Sequence, residues 1–253
     1  MAILLINDDG IYAPGLYKLA KKLREKYEVV IVAPDREQSA VGHAITLADP
    51  LRIYEVKQGN DFFGYAVSGT PADCVKLAIR VILKHKPDLL ISGINQGANV
   101  GASLIYSGTV SAATEGTMLL IPSIAVSLDT HRSDADYSAS VEITARIAEK
   151  VMNFGLPGGV FLNVNIPNVS LDSIKGFKIT RQATTYFDDF FERRIDPQGR
   201  TYYWMSGTMV EVDRGEDSDL MALRHRYVSI TPIRYDLTAK DEISTIENWF
   251  KAK

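Results

Sequence analysis

Ile3-Leu4-Leu5-Ile6-Asn7-Asp8-Asp9-Gly10 is the stretch from which the fold of this chain can be read. A short, unbroken apolar run reads as a strand buried on both faces. Strands of that kind lie inside open α/β sheets, where chemistry collects at the carboxyl ends. Here the carboxyl end holds two adjacent acids, Asp8 and Asp9, with Asn7 and Gly10 crowding the same turn. Like charges side by side repel unless a cation, a strong donor or water neutralises them. A divalent metal with hard oxygen ligands is one solution. A turn cap at Asp8 beside a solvated Asp9 is the plainer one.

Outward from that strand the pattern alternates. Pro14 marks a helix start, and Leu16, Leu19, Ala20 and Leu23 follow at i, i+3, i+4, i+7. Val29 to Ala33 is a second buried strand. Runs near Arg52 to Val56 and Phe62 to Val67, with Gly59-Asn60 between them, predict a hairpin or edge pair. Thr70-Pro71-Ala72-Asp73 is a helix start with a hydroxyl cap, proline at the first position and an acid at the third. Cys74, Leu77, Ala78, Val81 and Ile82 form the buried stripe of that helix, which makes Cys74 a packed thiol. Asp88 to Ser92, Ser123 to Leu128 and Val160 to Val164 read as further strands, with a helix from about Asp136 to Met152. Such alternation predicts a doubly wound, mostly parallel, Rossmann-like sheet with right-handed crossovers.

After Pro167 the pattern changes to short β-like pieces, at Phe177 to Thr180, Tyr202 to Met205 and Tyr227 to Thr231. A helical tail follows from about Lys240 to Trp249. Phe187, Phe190 and Phe191 lie among Asp188, Asp189 and Glu192 without a helix period. Such a segment packs either on another subunit or, as a surface hairpin, on its own domain. The expected division is a catalytic core over 1–170, then a β-rich extension over 171–253 holding the last core strands and the tail.

Composition narrows the class. A chain of 253 residues with 46% hydrophobic and 23% charged residues buries a full core. A net charge of -3 gives no basic footprint for a nucleic-acid polymer. The single cysteine excludes an intrachain disulfide and suits a reducing cytoplasm. Met1-Ala2 leads straight into the first strand, so no signal peptide is expected. No apolar run approaches the ~18 residues of a membrane span.

Four loops are expected at the carboxyl edge. The first carries Asp8 and Asp9. The second, Pro34 to His43, offers Ser39, Gly42 and His43. The third, Gly93 to Gly101, combines three glycines with Asn95 and Asn99. The fourth, Tyr106 to Ala113, opens a small-residue helix at Ser107-Gly108-Thr109. A helix start with free amides and hydroxyls is a ready phosphate cradle. Each loop also has a dull reading: Ser39 and Ser107 as caps, His43 as a satisfied loop histidine. The glycines do not form G-x-G-x-x-G, and neither a Walker-type G-x-x-x-x-G-K nor an H-E-x-x-H occurs. Together the loops offer parts for metal-assisted work on a phosphate.

The same segments closely resemble the SurE family of metal-dependent nucleotidases. The resemblance rests on Asn7 to Gly15, Ala33 to Ser39, Ser68 to Val75, Ser92 to Asn99, Tyr106 to Val110 and Tyr227 to Pro232, in family order along nearly the whole chain. It implies a single SurE-type domain that hydrolyses nucleoside 5′- and 3′-monophosphates. Asp8, Asp9, Ser39 and Asn95 would hold one divalent ion, Mg²⁺ or Mn²⁺. Ser107, Gly108 and Thr109 would lie beside the phosphate, with Asn95 serving both. It further implies a homodimer or homotetramer joined through a hairpin and the C-terminal tail. Arg226 departs from the pattern, since the family usually has glycine there, and Lys175 to Arg214 matches no motif.

On this reading His43, the one histidine assigned to these loops, is the candidate to protonate the leaving oxygen, with Asp8, Asp9 and Asn95 as the other catalytic residues. Rival readings are weaker. A receiver domain needs an aspartate where Ser92-Gly93-Ile94-Asn95 stands, and a dehalogenase-type phosphatase needs D-x-D. A non-catalytic nucleotide-binding protein, or a broad acid phosphatase or exopolyphosphatase, are the alternatives that the loops leave open.

Overall fold

The computed structural model describes residues 1–213 and 215–251. In chain order the elements begin β1 Ala2–Ile6, α1 Pro14–Leu23, β2 Glu28–Pro34, β3 Ile53–Gln58, β4 Asp61–Val67 and α2 Pro71–Leu77, which runs on as a π-helical turn over Ala78–Ile82. Next come β5 Leu89–Gln96, α3 Ser103–Tyr106, α4 Gly108–Met118, β6 Ser123–Asp129, α5 Ser138–Phe154 and β7 Val160–Pro167. The chain continues with β8 Phe177–Ile179, β9 Thr185–Ile195, β10 Thr201–Glu211, α6 Asp219–Arg224, β11 Val228–Arg234 and α7 Ile243–Lys251.

Nine strands form one sheet in the order β3-β4-β2-β1-β5-β6-β7-β11-β8. The run from β4 to β7 is parallel. The edge hairpin β3–β4 is antiparallel, as is β11 against β7. The sheet is therefore mostly parallel, as the alternating pattern predicts. Side chains of β1 alternate between two cores because successive residues of a strand point to opposite faces. Ile3 and Leu5 pack with Leu16, Leu19 and Leu23 of α1 and Ile143 and Ile147 of α5. Leu4 and Ile6 pack with Cys74 and Val75 of α2 and Ala112 of α4. The two helix layers are thus set by one apolar run that is buried on both sides.

The start of α2 is the predicted one. Thr70 Oγ1 accepts from the Asp73 amide, and the Asp73 carboxylate accepts from the Thr70 amide, which closes a capping box. Strand order reverses between β1 and β5, because β1 leads to β2 on one side and the chain returns to β5 on the other. That reversal opens a crevice outside the carboxyl ends, where ligands of open α/β sheets bind.

The segment after Pro167 contains more regular structure than the sequence suggests. β9 and β10 form a long antiparallel hairpin, paired from Thr185↔Glu211 to Ile195↔Thr201. The doublets Phe187-Asp188-Asp189-Phe190-Phe191 hide the two-residue period of β9. Both β8 and β11 belong to the main sheet, so the later segment completes the core as well as extending it. Helix α7 buries none of its residues. No helix is long and apolar enough to cross a membrane among the described residues.

Candidate active site

Each chain reversal at the carboxyl edge brings one functional segment to the crevice. Asp8 follows β1 and is buried. Its Oδ2 accepts from the Thr109 amide at 3.0 Å, and its Oδ1 accepts from the Thr109 hydroxyl. Gly108 makes this approach feasible, since a Cβ there would stand 2.8 Å from the Asp8 Cβ. The loop after β2 is pinned to the same turn, because the Gln38 amide donates to the Asp8 carbonyl at 2.8 Å. That bond carries Ser39 to the mouth of the crevice, where its hydroxyl donates to Glu37.

Asn95 comes from β5. The β5–β6 register shifts between Ser92 and Asn95, and an irregularity of this kind re-aims side chains next to active sites. The Asn95 Nδ2 donates to the Gly97 carbonyl at 2.7 Å, which fixes the side chain at the cavity wall. Ser107 caps α4, its Oγ accepting from the Val110 amide at 3.1 Å. Its own hydroxyl proton stays available for an anion at the helix start.

These segments meet in one cavity of about 500 Å³, lined by Asp8, Ser39, Asn95 and Ser107 among others. Burial pushes the Asp8 carboxyl up, and the Thr109 bonds pull it back only in part. Burial first, then the charge of Asp8, push Asp9 up to about 7. Neither acid has a Lys, Arg or His partner within ion-pair distance among the described residues. No cluster of three His, Cys, Asp or Glu side chains suited to a metal occurs among those residues either. The cavity offers the Asp8 carboxylate, the Asn95 amide oxygen and the Ser39 hydroxyl, while Asp9 stands next to Asp8 in the chain without lining it. Such a mixed oxygen set fits a hard divalent cation that keeps positions for water or a phosphate. Burial is the main cause at both acids, with the charge of Asp8 added at Asp9, and a bound cation would offset that cost.

Two expectations from the sequence meet a different geometry. Thr109 is fully buried and spends both its amide and its hydroxyl on Asp8. It therefore orients the Asp8 carboxylate instead of presenting a donor to the cavity. His43 does not line the cavity: its Nε2 lies 3.0 Å from Glu115 Oε2 of α4. Glu115 is buried and also receives Lys76 Nζ at 2.6 Å, so it draws the histidine away. The histidine that does line the cavity is His131, in the loop that follows β6. Its signal was its place after a parallel strand, the same rule that found the other loops. The hairpin adds Phe187, Asp189 and Met205 to the lining, and no local sequence signal announces them.

Comparisons with known proteins identify the family. The family described as "Survival protein SurE" matches residues 3–189. The protein named 5′-nucleotidase SurE from Syntrophobacter fumaroxidans is 49% identical over 98% of this chain and 99% of its own length. Its counterpart from Natranaerobius thermophilus is 48% identical over 98% of each chain. The crystal structure of the SurE protein from Aquifex aeolicus superposes with a TM-score of 0.85 at 41% identity, covering 99% of this chain and all of that one. In sequence and in fold, the chain belongs to the SurE survival-protein family.

Proposed function

We propose that the chain is a metal-dependent phosphohydrolase that releases phosphate from nucleoside 5′-monophosphates, and from 3′-monophosphates where the sugar can be accommodated. One observation carries this reading: a single cavity gathers Asp8 from β1, Asn95 from β5 and Ser107 from the start of α4. Relatives named 5′-nucleotidase SurE, alike over almost their whole length, support the substrate class.

Asp8, Asp9, Asn95 and Ser39 would hold one Mg²⁺ or Mn²⁺. When bound, such an ion polarises a phosphoryl oxygen and lowers the pKa of coordinated water. Thr109 fixes the Asp8 carboxylate by two hydrogen bonds, so the acid is oriented before any ligand arrives. Ser107 and the first turn of α4 face the phosphate, where hydroxyl and amide donors match developing negative charge. Asn95 bridges the two halves, its amide held by Gly97. Gly108 contributes by its lack of a side chain, which lets α4 close on Asp8. The test measures phosphate released from a nucleotide panel after chelation and re-addition of single metals. Activity lost on chelation and restored by Mg²⁺ or Mn²⁺ is expected. Release that survives complete chelation would overturn the metal reading. Nucleotide binding without any release would leave a binding protein.

The exposed aromatic and apolar faces support a homodimer or homotetramer joined through the β9–β10 hairpin and the tail. Phe190, Phe191 and Trp204 on the hairpin, and Ile243, Ile246 and Phe250 along α7, are all exposed in the single chain. The lone buried thiol of Cys74 is compatible with a cytoplasmic setting.

A further inference from the structure

His43 lies outside the cavity, yet it belongs to the segment that brings Ser39 there. Residues 35–52, between β2 and β3, contain no helix or strand. Irregular loops of that length are uncommon in compact domains, and an ordered one usually serves function. With no ladder of its own, this loop takes its shape from bonds to the elements beside it. Upstream of Ser39, the Asp35 amide donates to the Val67 carbonyl at 2.9 Å and the Gln38 amide to the Asp8 carbonyl at 2.8 Å. Downstream, the Gly42 amide donates to the Tyr106 carbonyl at 3.0 Å, and His43 Nε2 donates to Glu115 Oε2 at 3.0 Å. Beyond these, the Thr70 hydroxyl donates to the Ala44 carbonyl at 2.7 Å and the Thr46 hydroxyl to Asp73 at 2.6 Å.

Ser39, Ala40 and Val41 make no backbone hydrogen bond among the described residues. They form a span held at its two ends, so Ser39 is placed by Gln38 on one side and by Gly42 and His43 on the other. The span does not rest in a favoured conformation. Ala40 has a φ of 57°, in the left-handed region that a residue with a Cβ keeps only when its surroundings impose it. His43 is the first side chain after Ser39 that bonds to another element. Its partner is firm, because Glu115 is buried and its other oxygen receives Lys76 Nζ of α2 at 2.6 Å. A hydrogen bond to an ionised carboxylate is also stronger than one between neutral groups. Helix α4 thus supports the site twice. At its start Thr109 orients Asp8, and about two turns further along Glu115 holds the loop that carries Ser39.

We infer that His43 is a positioning residue: by docking the β2–β3 loop on Glu115 it keeps the Ser39 hydroxyl at the mouth of the cavity, beside Asp8. The inference rests on the reading of Ser39 as a metal ligand and adds to it the pair that holds that ligand in place. The role asks for a hydrogen-bond donor at position 43 aimed at a buried carboxylate, and for no proton transfer to substrate. This separates it from general acid catalysis in a measurable way. A weakened metal site is repaired by more metal, whereas a missing proton donor is not.

The test titrates the full-length protein with Mn²⁺ alone in a calorimeter, with Tm and nucleotide turnover measured alongside. His43→Ala should weaken Mn²⁺ binding about tenfold, at the lower end of what the loss of an orienting partner costs. His43→Gln keeps an N–H donor for Glu115 and should retain most of the affinity. In the Ser39→Ala background His43→Ala should add little, because the two residues then act as one unit. The kcat of His43→Ala should return to the wild-type value at saturating Mn²⁺. Wild-type Mn²⁺ affinity in His43→Ala, with or without a lower Tm, would reduce the contact to a structural role and overturn the inference. So would losses that add fully in the double variant, or a kcat deficit that persists at saturating Mn²⁺. Unchanged Mn²⁺ affinity in Ser39→Ala by itself would overturn the reading of Ser39 as a metal ligand, which makes the two failures distinguishable.

Discussion

At the scale of single residues, Thr109 shows how a site is built by a side chain that supports another one. Its hydroxyl and amide hold both oxygens of Asp8. Partners that orient a metal ligand matter nearly as much as the ligand itself, and losing one typically weakens metal affinity about 10- to 100-fold. Thr109→Val should therefore weaken Mn²⁺ binding by that order in calorimetric titration, with the fold preserved. Arg226 illustrates the opposite case, a residue that works against its backbone. It closes a Schellman motif after α6, where the Tyr227 amide donates to the Ala222 carbonyl and the Arg226 amide to Leu223. Its φ of 63° lies in the left-handed region, which disfavours any residue with a Cβ. Arg226→Gly should raise stability by about 1 kcal/mol, read as a higher denaturant midpoint at unchanged slope. The resemblance to the SurE family implies a glycine at this position, where this chain carries Arg226. The backbone conformation gives the physical reason for that glycine.

At the scale of elements, α2 and α4 are joined by a buried acid. Desolvation would push the Glu115 carboxyl up, but the hydrogen bonds from His43 and Lys76 outweigh it and hold the group below its ordinary value. Lys76→Met leaves His43 as the remaining partner of a buried charge. Breaking such a pair costs up to about 3–5 kcal/mol in full burial. Lys76 is itself well exposed, so about 2 kcal/mol is the expected loss in Tm or chemical unfolding at pH 7. The sign with pH follows from the depressed value in the folded state. The contribution is complete above the ordinary glutamate pKa and is lost as pH falls through the lowered one. The difference between wild type and variant should therefore shrink below about pH 4. A constant difference down to pH 3 would show that Lys76 acts through packing alone. The sequence could not foresee this arrangement. His43 sits in an edge loop by its place in the chain, but its destination is fixed by a glutamate on a helix far away in sequence. The loop after β6 obeyed the rule that located the other loops, so His131 was within reach of the same reasoning. The hairpin residues were not, because a long antiparallel pair folds back over the site only in three dimensions.

At the scale of the whole molecule, α7 buries nothing and presents Ile243, Ile246 and Phe250 on one side of its helix. Removing residues 243–253, or introducing Phe250→Asp, should lower the sedimenting mass if the tail joins subunits. An unchanged sedimentation coefficient would leave the hairpin as the contact. The core should stay folded in either variant, since the sheet and both helix layers form without α7. What the sequence determined by itself was the sheet and its active edge. Buried parallel strands, their helices and the loops at their carboxyl ends follow from local pattern and from the handedness of crossovers. That is why the run Ile3 to Ile6 sufficed to place Asp8 and Asp9. What only the tertiary structure decided was which side chains share the cavity. Thr109 is claimed by Asp8, His43 is claimed by Glu115, and Phe187 and Asp189 arrive from a distant hairpin. These outcomes depend on hydrogen bonds and close packing between elements far apart in sequence, and a local pattern carries no record of them.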